Sequence, residues 1–172
     1  MIIYKDAASS DDILLSDMFD FYEVDGVLYE VDCAMEDVKN DEDEGKDEGE
    51  YEGEGEGEEE HDEPQKVNNV VFNFRLQPTS FDKASYGTHF RDYFRRIITS
   101  LKQSNASDEE ITAFKKGASA HSKRILNSFD RWEFYTGESM DADGMVILLG
   151  YREDGTTPFL TYWKHGLTEQ EL

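Results

Sequence analysis

The sequence has a single cysteine, Cys33. One thiol cannot close an internal disulfide, so a reducing compartment is the simpler setting. No apolar run approaches the ~20 residues that a membrane span needs. The opening segment MIIYKDAASSDD lacks the basic start and long apolar stretch of a secretory signal. Neither end carries the basic cluster that would hold a chain to an anionic membrane surface. These absences lead to the expectation of a cytoplasmic chain.

The signatures of common chemistries are also missing. There is no Gly-x-x-x-x-Gly-Lys phosphate loop and no Gly-x-Ser-x-Gly elbow. No two of His61, His89, His121 and His165 have His-x-x-x-His spacing, which with one cysteine argues against zinc. Cys33 has no basic neighbour in sequence to lower its pKa, so a buried or idle thiol is expected. Asp141-x-Asp143-Gly144 is like part of a calcium loop but lacks the third acidic position and the distal Glu, so it reads as a turn. The expectation is a protein that is not an enzyme and has no obligatory cofactor. Weak calcium binding by clustered carboxylates stays open.

Acidic residues, by contrast, are abundant. The 172 residues carry a formal net charge of −23, yet 13% are aromatic, which is rich for a wholly disordered chain. The charge is concentrated: residues 36–63 hold 17 Asp or Glu against Lys39 and Lys46, and the other 144 residues carry only −8. An ordinary domain interrupted by an acidic insert is therefore expected, with one domain over 1–172 and a disordered loop over 36–66. Crowded carboxylates, Glu-Gly alternation and the scarcity of apolar residues give that stretch little to bury against its ordering entropy. It reads as a solvated spacer, or as an electrostatic lure for basic partners or calcium.

Along the rest of the chain, Met1–Tyr4 predicts a strand. Phe19–Val24 and Val27–Asp32 flank Asp25-Gly26, a strong hairpin signal because both central residues of the tight turn need φ > 0. Val67–Leu76, with Val70, Val71, Phe72 and Phe74, predicts another strand. Thr79-Ser-Phe-Asp82 and Ser107-Asp-Glu-Glu110 read as helix starts. Tyr86, Phe90, Phe94, Ile97, Ile98 and Leu101 recur at helical spacing, as do Ile111, Phe114, Ala118, His121, Ile125 and Phe129. A short polar break between them implies an antiparallel helical hairpin over 79–129. His121 on the apolar face is expected to be a satisfied core histidine. Trp132–Tyr135, Met145–Leu149 and Phe159–Trp163 predict strands, with turns at Asp143-Gly144 and Asp154-Gly155. The class is α+β with a mainly antiparallel sheet.

The hairpin is electrostatically distinct. Residues 79–131 hold ten Lys or Arg and six acids, +4 inside a chain of −23. Arg91, Arg95 and Lys102 step along one predicted helix and Lys116, Lys123 and Arg124 along the other, with Arg96 beside them. They form an ordinary solvated face or a basic stripe for an acidic protein surface. The acidic stretch folding back onto the stripe is a third arrangement. Nucleic acid is a poor partner, since the chain as a whole repels phosphate.

Several motifs agree in order and spacing with one family. Gly137-Glu-Ser-Met140, Asp143-Gly-Met-Val146 and Tyr151-Arg-Glu-Asp-Gly-Thr-Thr-Pro158 resemble the C-terminal signature of translationally controlled tumour proteins. Met-Ile-Ile-Tyr-Lys-Asp6 resembles that family's start, and Leu76-Gln77 with Thr79-Ser-Phe81 matches as well. The resemblance spans nearly the whole chain except the acidic stretch. It implies a twisted β-tent with a projecting antiparallel helical hairpin and a long mobile loop, shared with a zinc-binding chaperone of Rab-type GTPases. That relative uses paired cysteines, so its zinc does not carry over.

The resemblance further implies calcium binding, association with tubulin and microtubules, and contact with a Ras-like small GTPase in growth control. It also implies anti-apoptotic partners and the translation machinery. Of the two acidic positions assigned to GTPase contact, the one in Gly-Glu-x-Met falls on Glu138. The other falls in Asp11-Asp12-Ile13-Leu14-Leu15-Ser16-Asp17, one residue longer than the family pattern, so Asp12 corresponds, or Ile13 if the register follows the extra residue. The tubulin-binding region corresponds to the hairpin. Two other functional readings are a calcium buffer acting through the acidic loop and a guanine-nucleotide exchange factor.

Overall fold

The computed structural model describes residues 1–8, 11–38 and 65–172. Among these, eleven strands and three helices follow in order. They are β1 (Ile2–Asp6), β2 (Ile13–Ser16), β3 (Tyr22–Val24), β4 (Leu28–Asp32), β5 (Met35–Asp37), β6 (Lys66–Asn68), α1 (Asn69–Asn73), β7 (Gln77–Thr79), α2 (Lys83–Gln103), α3 (Asp108–Asn127), β8 (Glu133–Thr136), β9 (Ile147–Tyr151), β10 (Pro158–Trp163) and β11 (Leu167–Glu171). Every strand pair is antiparallel. The sheets run β11-β1-β2, β3-β4-β10-β9-β8-β7, and β5-β6. The α+β class and its antiparallel sheet are as the sequence implies.

The central strand β10 is buried at all six positions, because both faces of its sheet are covered. Alternation sends Leu160 and Tyr162 to one face and Phe159, Thr161 and Trp163 to the other. On the first face, Tyr162 Oη donates to the carbonyl of Leu14 at 2.9 Å, tying the large sheet to β2 of the three-stranded one. On the second, Trp163 meets Phe90 and Phe94 of α2, each at 5.1 Å between ring centres. The Arg152 guanidinium covers Phe159 at 3.8 Å and bonds Glu30 and Asp32 of β4.

The turns and caps explain most boundaries. Asp25 and Gly26 have φ of 53° and 73°, and Val27 N donates to Val24 O at 3.1 Å, closing the expected hairpin. Asp82, not Thr79, caps α2: its carboxylate accepts from Ser85 N at 2.7 Å while Ser85 Oγ accepts from Asp82 N at 3.1 Å. Thr79 belongs to β7. Ser107 and Glu110 cap α3 reciprocally, as expected. The apolar faces of α2 and α3 bury Tyr86, Phe90, Ile97, Ile111, Phe114, Ala118, His121 and Ile125, together with Tyr93, which the periodic set leaves out. The Asp154-Gly155 turn joins β9 to β10. Asp154 accepts from Thr156 N, Thr157 N and Thr157 Oγ1, and these bonds hold its carboxyl down to about 2.

Other expectations are corrected as well. Val67–Leu76 is not one strand: only Lys66–Asn68 pairs, and Asn69–Asn73 is helical. Asn68 Oδ1 accepts from Val70 N and Val71 N at 3.0 and 3.1 Å, starting a helix in a β-prone run. The expected loop over 36–66 is too wide at both ends, because Glu36 and Asp37 pair with Val67 and Lys66. Residues 39–64, and any contact they make with the hairpin, lie outside the described residues. Finally, β11 pairs with β1 along five residues where no strand was expected, since its Thr-Glu-Gln-Glu run has no apolar alternation.

Candidate functional site

The segment between β8 and β9, residues 137–146, carries Glu138, and three contacts fasten it. Asp12 Oδ2 accepts from Ser139 N at 3.1 Å and from Ser139 Oγ at 2.6 Å. Asp6, almost wholly buried, accepts from Met145 N at 2.8 Å and Ala8 N at 3.0 Å. Burial raises the Asp6 pKa against the lowering effect of these two donors. Arg96 donates to the carbonyl of Asp143 at 3.1 Å and lies 3.9 Å from its carboxylate. Gly137 is where backbone and Asp12 meet most closely: a Cβ there would stand 2.5 Å from Asp12 Oδ2.

Asp11, Asp12 and Glu138, distant in sequence, therefore line one shallow depression of about 470 Å³. Ile13 lines it too, so either register of the Asp11–Asp17 run brings its candidate to the same face. Glu138 is exposed and pairs with Arg75 at 3.4 Å. Arg75 was not singled out from sequence. It follows α1 in the left-handed conformation, φ 55°. Leu76 N bonds Val71 O at 3.0 Å and Arg75 N bonds Phe72 O at 3.3 Å, the pattern in which a helix usually ends on glycine. Met140, in the Glu138 segment, and Asp11 are also left-handed, at 59° and 65°.

The seven hairpin cations separate into two groups. Arg91, Arg95, Lys102, Lys116 and Lys123 are exposed, and helical geometry sets them opposite the buried faces. Among the described residues, Arg95 makes a 3.5 Å contact with Asp92 of its own helix. Arg96 and Arg124 are tied to neighbouring side chains, although Arg124 is itself exposed. Arg96 is half-buried against Asp143, and Arg124 donates to His121 Nδ1 at 3.2 and 3.0 Å and lies over the Trp132 ring. His121 Nε2 meets Asp25 Oδ2 at 2.8 Å, so the ring is the satisfied core histidine expected of it.

Burial pushes the Cys33 thiol up to about 11, the opposite of what a nucleophile requires. Asp141 Oδ1 accepts from Asp143 N at 2.9 Å, as in a plain turn. Among the described residues, no three His, Cys, Asp or Glu side chains gather as a metal site.

The family model described as translationally controlled tumour protein matches residues 1–168. The chain is 50% identical over 172 residues to the translationally-controlled tumor protein homolog of Candida glabrata and 50% identical over 173 residues to that of Candida albicans, covering all of each. Among solved structures it is similar to the translationally controlled tumor-associated protein p23fyp of Schizosaccharomyces pombe, with a TM-score of 0.81, 43% identity and full coverage of both chains. It is also similar to the Caenorhabditis elegans structure, with a TM-score of 0.65 and 25% identity over 100% of this chain and 99% of that one.

Proposed function

This chain belongs to the translationally controlled tumour protein family, and we propose that it is a cytoplasmic, non-enzymatic binding protein whose Asp11, Asp12 and Glu138 face docks a Ras-like small GTPase. One observation carries the reading. Asp12 and Glu138 come from opposite ends of the sequence, yet the Asp12 carboxylate bonds Ser139, the residue next to Glu138, and both acids line the same depression. Glu138 is itself exposed, and so is available to an incoming cation. Among the described residues no helix is long and apolar enough to cross a membrane.

Titrating a Ras-like GTPase into the intact chain tests the reading. Glu138→Ala should weaken binding by about 1 kcal/mol, the scale of one exposed charge contact. Its thermal unfolding should stay unchanged. An affinity equal to that of the parent chain would remove Glu138 from the contact. Nucleotide release measured in the same titration separates simple docking from exchange activity, which we place second.

The exposed cations Arg91, Arg95, Lys102, Lys116 and Lys123 support a second surface, for the acidic tails of tubulin. Calcium binding is assigned to the carboxylate-rich residues 39–64, which hold fifteen of the 40 acidic side chains.

A further inference from the structure

We propose that the depression beside Glu138 takes a partner segment that presents a cationic side chain next to an apolar one, and that Arg75 is the cation this segment displaces. The inference rests on reading this face as a contact surface, and adds what the partner must carry.

The apolar part follows from exposure. Met1, Ile13 and Met18 are 59%, 40% and 61% exposed, three of the nine large apolar side chains open to water among the described residues. All three line this depression, and half-buried Phe74 joins them. Scattered exposed apolar residues are ordinary, but a group of them rimmed by charge marks a contact surface.

The charged part follows from the rim. Asp11, Asp12 and Glu138 are lining residues, and Arg75 is the one cationic side chain among them. Asp12 Oδ2 already accepts twice from Ser139. Glu138 meets Arg75 at 3.4 Å with both side chains more than half exposed, a weak class of ion pair. A guanidinium or ammonium arriving with an apolar neighbour replaces that pair and covers Met18 and Ile13 as well. An acidic segment would be repelled, and so at long range would a second copy of a chain carrying −23.

The probe is a short synthetic peptide of alternating Arg and Leu, titrated into the full chain at physiological salt. Two control peptides replace Leu by Ser, or Arg by Glu. The Met18 and Ile13 methyls read this face in NMR spectra, while exposed Met35, near residues 39–64, reports attraction of the peptide to that stretch separately. The Arg-Leu peptide should shift the Met18 and Ile13 methyls saturably. The Ser control should bind about tenfold or more weaker, and the Glu control should not saturate.

Arg75→Gly suits the left-handed backbone and removes the cation, so it should tighten binding about two- to fivefold. That gain should vanish in a Glu138→Gln background. Equal binding of the Ser control, methyl shifts absent from Met18 and Ile13, or a loss of affinity in Arg75→Gly would each overturn the proposal. Melting curves confirm that the variants are folded. If the peptides behave as stated while the GTPase fails to bind, the GTPase reading falls and this one stands. If the GTPase binds Met18→Ser and Arg75→Gly as it binds the parent, this one falls.

Discussion

Asp12 holds the Glu138 segment through a single carboxylate oxygen, and the space that allows this is the missing side chain of Gly137. A methyl at Gly137 would stand 2.5 Å from Asp12 Oδ2 and 2.8 Å from its Cβ, distances at which something must move. Asp12 would give way first, because its side chain is short and partly exposed while the Gly137 backbone runs on from β8. Gly137→Ala is therefore expected to break both bonds to Ser139 and to lower stability by ~1–3 kcal/mol. A urea melt checks the stability, and amide exchange at Ser139 checks the mechanism: protection there should fall while that of β10 follows the global change. A variant as stable as the parent with Ser139 still protected would show that the latch does not depend on that glycine. The same contact shows what single residues could not reveal beforehand. Asp12 and Glu138 were legible only through resemblance to a family, Ser139 only as part of a quoted motif with no role, and Arg75 and Met18 not at all. Their importance lies in adjacency across the fold, which no local pattern encodes.

At the scale of elements, local chemistry decided what could be read. The two long helices were legible because of their periodic apolar faces, backed in α3 by the reciprocal Ser107–Glu110 cap. The run after the acidic stretch was not, because Val70, Val71 and Phe72 favour a strand while one side-chain oxygen of Asn68 favours a helix. The cap prevails with help from Val70, which is fully buried. β11 was illegible because an edge strand facing water needs no apolar alternation. The basic stripe illustrates the same limit, since spacing placed Arg96 and Arg124 with the free cations although both are bound to neighbours. This division shapes the test of the tubulin surface. Reversing Arg91, Arg95 and Lys123 to Glu removes charge from the exposed faces and leaves the Arg96–Asp143 anchor alone. Cosedimentation with microtubules should be lost, and in the parent it should weaken as salt rises. Binding that survives the triple reversal would exclude this surface.

For the whole molecule, the question is whether the acidic insert belongs to the scaffold or is suspended from it. β5 and β6 pair at Met35–Asn68, Glu36–Val67 and Asp37–Lys66, and Val38 N bonds Gln65 O at 3.0 Å. Val38 and Gln65, which flank residues 39–64, therefore stand side by side, as the ends of a hairpin do. Replacing those 26 residues with Asn-Gly, a turn suited to antiparallel strands, keeps the ladder intact. The removed segment holds fifteen acids and two Lys, so the net charge falls from −23 to −10. Self-repulsion drops, and the shorter connection lowers the entropy of closing the loop by up to about 2 kcal/mol. The shortened chain should be folded and at least as stable as its parent by urea denaturation. Calorimetry then distinguishes the remaining functions. Calcium heat that disappears with the insert would assign ion binding to those carboxylates, and heat that persists would place it on the folded domain. GTPase affinity should survive the deletion, because Asp11, Asp12, Glu138 and Arg75 are positioned by β1, β2, α1 and the segment after β8, none of which is removed. A loss of GTPase binding in a chain that is still folded would instead make the insert part of the contact, and the depression could not then be its sole seat.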